Sequence, residues 1–290
     1  MRVLIVGCGY VGLALGARLV QQGHAVWGLR RDTEHAGELG SAGIKPVRAD
    51  ITHLGSLPEL GHGFDWVVNC VSASGGGAQE SERIYLQGTK NLVAWLSKAP
   101  PATFLYTSST SIYGQVDGSR VDEYAPTEPE SATARILVKT ERLLLDASAK
   151  TGFPSVVLRV AGIYGPRRAY WLDQVRSGQA RIEGAGERWI NMIHRDDVAG
   201  AILTGLAQGQ PGRVYNAVDD EPVAQAALLQ WLSTRLGCPL PAVAGTGELR
   251  AVKNRGLTNK RVSNERLKTE LGYRFEFPTF RQGYESLLTG

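Results

Sequence analysis

The 290-residue sequence predicts an α/β fold, a doubly wound parallel sheet wrapped by helices and followed by a smaller C-terminal lobe. Three observations carry this reading. Short apolar runs alternate with helical periodicities from the first residue to about position 160. A glycine-rich turn joins the first run to the first helix. The alternation then loosens after Gly165-Pro166.

Residues 2–6 read Arg-Val-Leu-Ile-Val, the continuous apolar run of a strand buried on both faces. Over 10–22, Val11, Leu15, Leu19 and Val20 return at helical spacing. Residues 25–29, 45–49 and 65–71 are the second, third and fourth strands. A helix over 79–98 gathers Ile84, Leu92, Val93 and Leu96 on one side. Residues 102–107 form the fifth strand, 131–150 a helix and 155–160 the sixth strand. Helices between strands supply the long crossovers that parallel pairing needs. Beyond position 165 the pattern gives helices over 197–207, 223–236 and 263–271 and an isolated strand over 213–217. The expected division is therefore 1–165 and 166–290, the second unit interleaved with the first.

Lys and Arg number 32 against 28 Asp and Glu, a net charge of +4, too small to argue for a nucleic-acid partner. No run reaches the roughly 18 apolar residues of a membrane span. The opening run stops at Gly7, short of a signal peptide. Cys8, Cys70 and Cys238 are odd in number and far apart, as in a reducing compartment. The histidines are scattered, without metal-ligand spacing, so no metal is expected. These features point to a cytoplasmic protein.

Gly7-Cys8-Gly9-Tyr10-Val11-Gly12 matches GxGxxG directly after a strand and at the start of a helix. The first glycine makes the tight turn, the second admits a pyrophosphate to the backbone, and the third lets helix and strand pack closely. Gly7, Gly9, Tyr10, Val11 and Gly12 are thus candidate dinucleotide contacts, with the helix N-terminus facing the anion. The second strand ends Leu29-Arg30-Arg31, where an NAD binder usually carries an acidic residue. Two guanidiniums suit a 2′-phosphate and favour NADP over NAD, although Asp32 is close by. Asp50 and Ile51 follow the third strand, where they could meet the adenine or simply form a turn. Val71, Ser72 and Ala73 end the fourth strand with small residues along which a cofactor could lie.

Further blocks then bring a resemblance into view. They are Gly88-Thr89-Lys90-Asn91-Leu92, Thr107-Ser108-Ser109-Thr110-Ser111-Ile112-Tyr113-Gly114 and Leu158-Arg159-Val160-Ala161-Gly162-Ile163-Tyr164-Gly165-Pro166. Asn191-Met192-Ile193-His194-Arg195-Asp196-Asp197-Val198-Ala199 and Tyr215-Asn216-Ala217-Val218-Asp219-Asp220 follow. In this order they resemble the extended short-chain dehydrogenase/reductase superfamily, the NAD-dependent epimerase/dehydratase family, along essentially the whole chain. The resemblance implies a Rossmann-type domain holding NAD(P), a smaller lobe holding a substrate that is often a nucleotide-sugar, and Ser108 and Ser109 beside the nicotinamide. It also implies a homodimer paired through the helices at 79–98 and 131–150.

The family works with a Ser and a Tyr-x-x-x-Lys pair, in which the Lys lowers the Tyr pKa. Ser109 aligns with the Ser. The pair is absent. Anchoring on Lys139 puts Arg135 at the Tyr position. Anchoring on Glu141-Arg142-Leu143-Leu144 puts Thr133 at Tyr and Leu137 at Lys. The Asn that often precedes the Gly-Thr block is replaced by Tyr85. Ser109, Tyr113 and Lys139 are the candidate catalytic residues, and Tyr85, Tyr124 and Tyr164 are further available phenols. Tyr164, Arg167, Arg168 and Asn191 are candidate substrate contacts, the arginines suited to an anion. Trp189 and His194 lie in the same block as Asn191. Asp196-Asp197 is expected to cap a helix. Arg250, Lys253, Arg255, Lys260 and Arg261, with Asn254 and Asn259, form a basic stretch that suits either a diphosphate or solvent. The chain reads as an oxidoreductase or epimerase with a substitute proton carrier, a dinucleotide-binding sensor or scaffold without turnover, or another chemistry in the same cleft.

Overall fold

The computed structural model describes residues 1–32, 34, 36–57, 61, 63–73, 75, 77–245 and 258–289. Arg250, Lys253, Asn254 and Arg255 of the basic stretch lie outside the described residues. The main sheet has seven strands: β1 (Arg2–Val6), β2 (Ala25–Arg30), β3 (Lys45–Arg48), β4 (Trp66–Asn69), β5 (Thr103–Ser109), β6 (Ser155–Val160) and β7 (Val214–Ala217). Their order is β7-β6-β5-β4-β1-β2-β3, and every pairing is parallel. The chain winds outward from β1 through β2 and β3, then restarts beside β1 with β4. At that reversal the strand ends diverge and leave a crevice, the usual ligand position in a doubly wound sheet.

The helices are α1 (Tyr10–Gln21), α2 (Ala36–Ser41), α3 (Gly77–Ser81), α4 (Gly88–Leu96), α5 (Ala132–Thr151), α6 (Tyr170–Arg176), α7 (Arg195–Gln208), α8 (Gln225–Leu236), α9 (Glu265–Leu271) and α10 (Phe280–Leu288). A π-helical segment, Glu82–Gln87, joins α3 to α4, so the helix expected over 79–98 is continuous but widened in its middle. Val3, Leu4, Ile5 and Val6 are fully buried, as their apolar run requires. α1 and α7 pack together on one face of the sheet, and α5 packs on the other with the π segment.

The strand over 213–217 is not isolated: as β7 it adds a parallel edge beside β6. The large core also takes in Ile193, Val198, Ile202, Val262 and Leu267 from the second half of the sequence. A separate core gathers Tyr164, Leu172, Ile190, Leu228, Phe280 and Tyr284. The chain therefore passes between the two cores more than once after position 165. Asp197 does not cap α7. His194 does, its Nδ1 accepting the Asp196 amide at 3.3 Å. Asp197 is buried and accepts from Tyr273 Oη (2.8 Å) and the amides of Glu276 (2.7 Å) and Phe277 (2.9 Å), which ties 273–277 to α7. No helix among the described residues is long and apolar enough to cross a membrane.

Candidate functional site

A cleft of about 510 Å³ opens where β1 and β4 part. Its floor is the glycine turn, and each glycine meets a different constraint. Gly7 has φ +79°, and a Cβ there would fall 2.7 Å from the backbone of Val71 across the strand reversal. At Gly12 a Cβ would meet Ile5 Cγ2 at 3.0 Å, so this glycine sets how closely α1 sits on β1. A Cβ on Gly9 would meet nothing nearer than Gly7 O at 4.0 Å and would take up space in the cleft. The α1 N-terminus adds amides with no partner inside the helix. Bare backbone, a helix N-terminus and room beside them fit a dinucleotide diphosphate.

One end of the cleft is basic. Arg30 and Arg31 line it with Asp32. Arg31 lies 3.7 Å from Glu80, which Arg83 clamps through two contacts of 2.8 Å. The Arg30 guanidinium has no acceptor among the described residues. A small adjoining hollow of about 50 Å³ is lined by Asp50, Ile51, Val71 and Ser72. Asp50 also forms a turn, accepting the Thr52 amide at 2.9 Å. Burial would raise its carboxyl, but the Thr52 hydrogen bonds and the neighbouring His53 and Arg83 outweigh that and lower it. Ala73 sits beyond this hollow and donates its amide to Tyr85 Oη at 2.9 Å.

At the other end the cleft is lined by Thr107, Ser108, Ser109, Leu137, Val160 and Ala161, among others. Ser109 Oγ accepts the Ser111 amide at 3.1 Å. Ser108 is buried, and among the described residues its Oγ has no partner. Two catalytic candidates are not here. Tyr113 is fully buried outside the cleft, donating to Asn216 Oδ1 and accepting from Arg159 Nη1, both at 2.8 Å. Burial pushes its phenol up to about 12, although Arg159 pulls the other way. Lys139 lies on the exposed face of α5. The helix explains this. Glu141 is buried and ion-paired with Arg159 at 2.8 Å, and Leu137, four residues earlier, shares its inward face. Lys139 is two residues from each, roughly 200° around the helix. Leu137, and not Lys139, therefore lines the cleft.

The second-lobe candidates also divide. Arg168 lines the cleft with its guanidinium 5.5 Å from the Tyr10 ring centre, and Arg195 approaches the same ring at 5.4 Å. Gly165 and Arg168 exchange backbone hydrogen bonds of 2.9 and 3.0 Å around Pro166-Arg167, and Arg167 holds φ +63°. Tyr10 closes the link by donating to Pro166 O at 3.0 Å. Tyr164 and Asn191 do not line the cleft. Tyr164 is buried in the second core, stacked on Tyr284 at 4.6 Å, and burial raises its phenol strongly. Asn191 spends its amide on Lys260 O (2.9 Å) and the Val262 amide (2.8 Å), joining chain segments rather than facing the cleft. His194 is buried against Phe277 and Tyr164, which lowers its pKa. Tyr124 is exposed beside Arg266, away from this cleft. Thr107 and Val198 also line the cleft; the sequence offered them only as members of matched blocks, with no role attached. Leu137 could be found from its phase with Glu141.

The profile of the NAD-dependent epimerase/dehydratase family matches residues 3–217. The chain is similar to Protein YeeZ of Escherichia coli (strain K12), 25% identical over 279 residues and 96% of each chain. It is similar to a 3-diazoavenalumate denitrifying reductase of a Streptomyces species, 28% identical over 312 residues, 98% of this chain and 99% of that one. A solved structure of a conserved protein from Silicibacter pomeroyi superposes with a TM-score of 0.82 at 29% identity, covering 99% of this chain and 98% of the other. With a glycine turn at the strand reversal of a seven-stranded parallel sheet, the chain belongs to the NAD-dependent epimerase/dehydratase family.

Proposed function

We propose that this protein is an NAD(P)-dependent oxidoreductase or epimerase acting on a carbonyl or hydroxyl of a small substrate, with a nucleotide-sugar as one class the cleft suits. The observation that carries the reading is the glycine turn, where a Cβ at Gly9 would enter the space a diphosphate needs. A bound nicotinamide would supply or take hydride. Gly7, Gly9, Tyr10 and Val11 hold the diphosphate, with Gly12 setting the helix against the strand behind it. Asp50, Ile51, Val71 and Ser72 flank the adenosine, and Ser108 and Ser109 lie beside the reacting end. Arg168, presented by the Arg167 turn, meets an anionic part of the substrate. The cofactor preference is NADP, because Arg30 offers an unpaired guanidinium and Arg31 a second at the ribose end. Titration calorimetry with both nucleotides tests this. Arg30→Ala weakens NADP binding by about 10-fold or more, the worth of a charge-assisted contact, and leaves NAD binding unchanged. Equal affinities in the wild type, or no change in the variant, refutes the 2′-phosphate preference.

A second reading is dinucleotide binding without turnover, as a sensor or scaffold. It is favoured by Leu137, which puts a side chain with no charge where the family's ammonium would stand. A cytoplasmic homodimer paired through α4 and α5 accompanies either reading, and a clean monomer in sedimentation at micromolar concentration contradicts it.

A further inference from the structure

We propose that Tyr85 is the proton-transferring residue of this cleft and that it serves the reduction of a carbonyl substrate, an inference resting on the reading that the cleft holds a nicotinamide dinucleotide. Tyr85 lies within the π-helical segment Glu82–Gln87. Such turns widen a helix and gather at functional sites. The segment is held against the sheet edge at Gly88, where a Cβ would strike Ile51 Cδ1 at 2.6 Å. Tyr85 Oη accepts the Ala73 amide at 2.9 Å, and among the described residues its own O–H has no acceptor. Its side chain lines the cleft together with Ser109 of β5 and Leu137 of α5.

Of the other proton-bearing groups there, the Ser108 and Ser109 hydroxyls are weaker acids than a phenol, and the rest are engaged. Tyr10 donates to Pro166 O. Thr107 donates to Asn69 O at 3.3 Å. The Cys70 thiol points at the carbonyls of Val6 (3.4 Å) and Gly7 (3.3 Å), and burial raises it. Tyr113 and Tyr164 are sealed in the two cores.

The direction follows from Leu137. An ammonium beside a phenol would stabilise the phenolate and make it a base at neutral pH. With a leucine there, the phenol enters the reaction protonated and acts as the acid. A bound dihydronicotinamide would supply hydride, with its two electrons, to the carbonyl carbon. The C=O π bond breaks, and the oxygen takes the Tyr85 proton. An alcohol and a phenolate result; the Ala73 amide holds the phenolate until water entering the open cleft reprotonates it. Ser109 orients the reacting oxygen through its hydroxyl.

The test compares wild type with Tyr85→Phe, using NADP⁺, NADPH and a fixed panel of aldehydes and ketones. Added NADP⁺ brings a pyridinium charge next to this phenol. The phenolate absorbance that the variant lacks then develops at lower pH than without the nucleotide, as a neighbouring cation requires. In single turnovers the variant binds NADPH with unchanged affinity and reduces the panel about 100-fold more slowly, the usual worth of general acid catalysis. Binding of NADP⁺ without the spectral displacement, or reduction within threefold of wild type, overturns the role of Tyr85. Failure of wild type to bind either nucleotide contradicts the proposed function itself. Binding by wild type with no reduction of any carbonyl contradicts turnover and this inference together.

Discussion

Replacing Tyr113 with Phe separates a structural phenol from a catalytic one. The ring remains and only Oη is lost. Asn216 Oδ1 then loses its buried donor, and Arg159 Nη1 loses one of two acceptors, keeping Glu123 O at 3.3 Å. A buried polar group left short costs about 1–3 kcal/mol, so the pair is worth about 3 kcal/mol here. For a chain of this size about 2–4 °C accompanies each kcal/mol, giving a fall of about 6–12 °C in Tm. Thermal and urea unfolding with and without NADP measures it, beside a calorimetric titration of the dinucleotide. The expected outcome is a lower Tm, a lower urea midpoint and an affinity within twofold of wild type. A Tm within 1 °C or so of wild type, combined with lost binding or turnover, would refute the assignment of Tyr113 to the core.

Two other outcomes are expected. Gly7→Ala both forces a side chain into φ +79° and drives a Cβ to 2.7 Å from Val71, so it destabilises by about 2 kcal/mol or more and abolishes dinucleotide binding; an unchanged urea midpoint contradicts this. Burial pushes the Lys260 ammonium down from 10.5 to about 8, where it donates to Tyr113 O and Thr258 Oγ1. Between pH 8 and 10.5 the unfolded chain holds this proton more tightly than the folded one, so stability from this group rises with pH across that window. Urea midpoints at pH 7.5 and 10 in wild type and Lys260→Met measure it, and identical pH slopes in the two proteins exclude the effect.

Much of the fold is legible because its signals are local. The apolar run at 2–6, the glycine turn and the strand at 155–160 each state their structure within a few residues. What escaped depends on partners far along the chain. Val214–Ala217 reads as a strand, but nothing in it says that it pairs with β6. Tyr113 follows a matched motif closely, yet its role is set by Arg159 and by Asn216, 103 residues away. Asn191 resembles a substrate contact until residues 260 and 262 take both ends of its amide. Lys139 is instructive in another way. A count of residues admitted Lys139, whereas helical phase excludes it, because Glu141 and Lys139 cannot share one face of α5. The cofactor half of the candidate site was thus open to motif reading, while the reacting half needed the packing around α5 and the π segment. Tyr85 was visible as a replaced residue, but only its bond to Ala73 marks it out from the other phenols.

The diphosphate seat at Gly9 is tested most directly by titrating NADP⁺ into wild type and Gly9→Ala under calorimetry, with melting curves on both. A methyl group at Gly9 meets no protein atom closer than 4.0 Å. The expected result is a melting temperature shifted by no more than a few degrees, together with a loss of affinity of about 10-fold or more as the methyl group fills the place of a phosphate oxygen. Undiminished affinity in Gly9→Ala, or no binding by the wild type, would contradict a diphosphate resting on this turn.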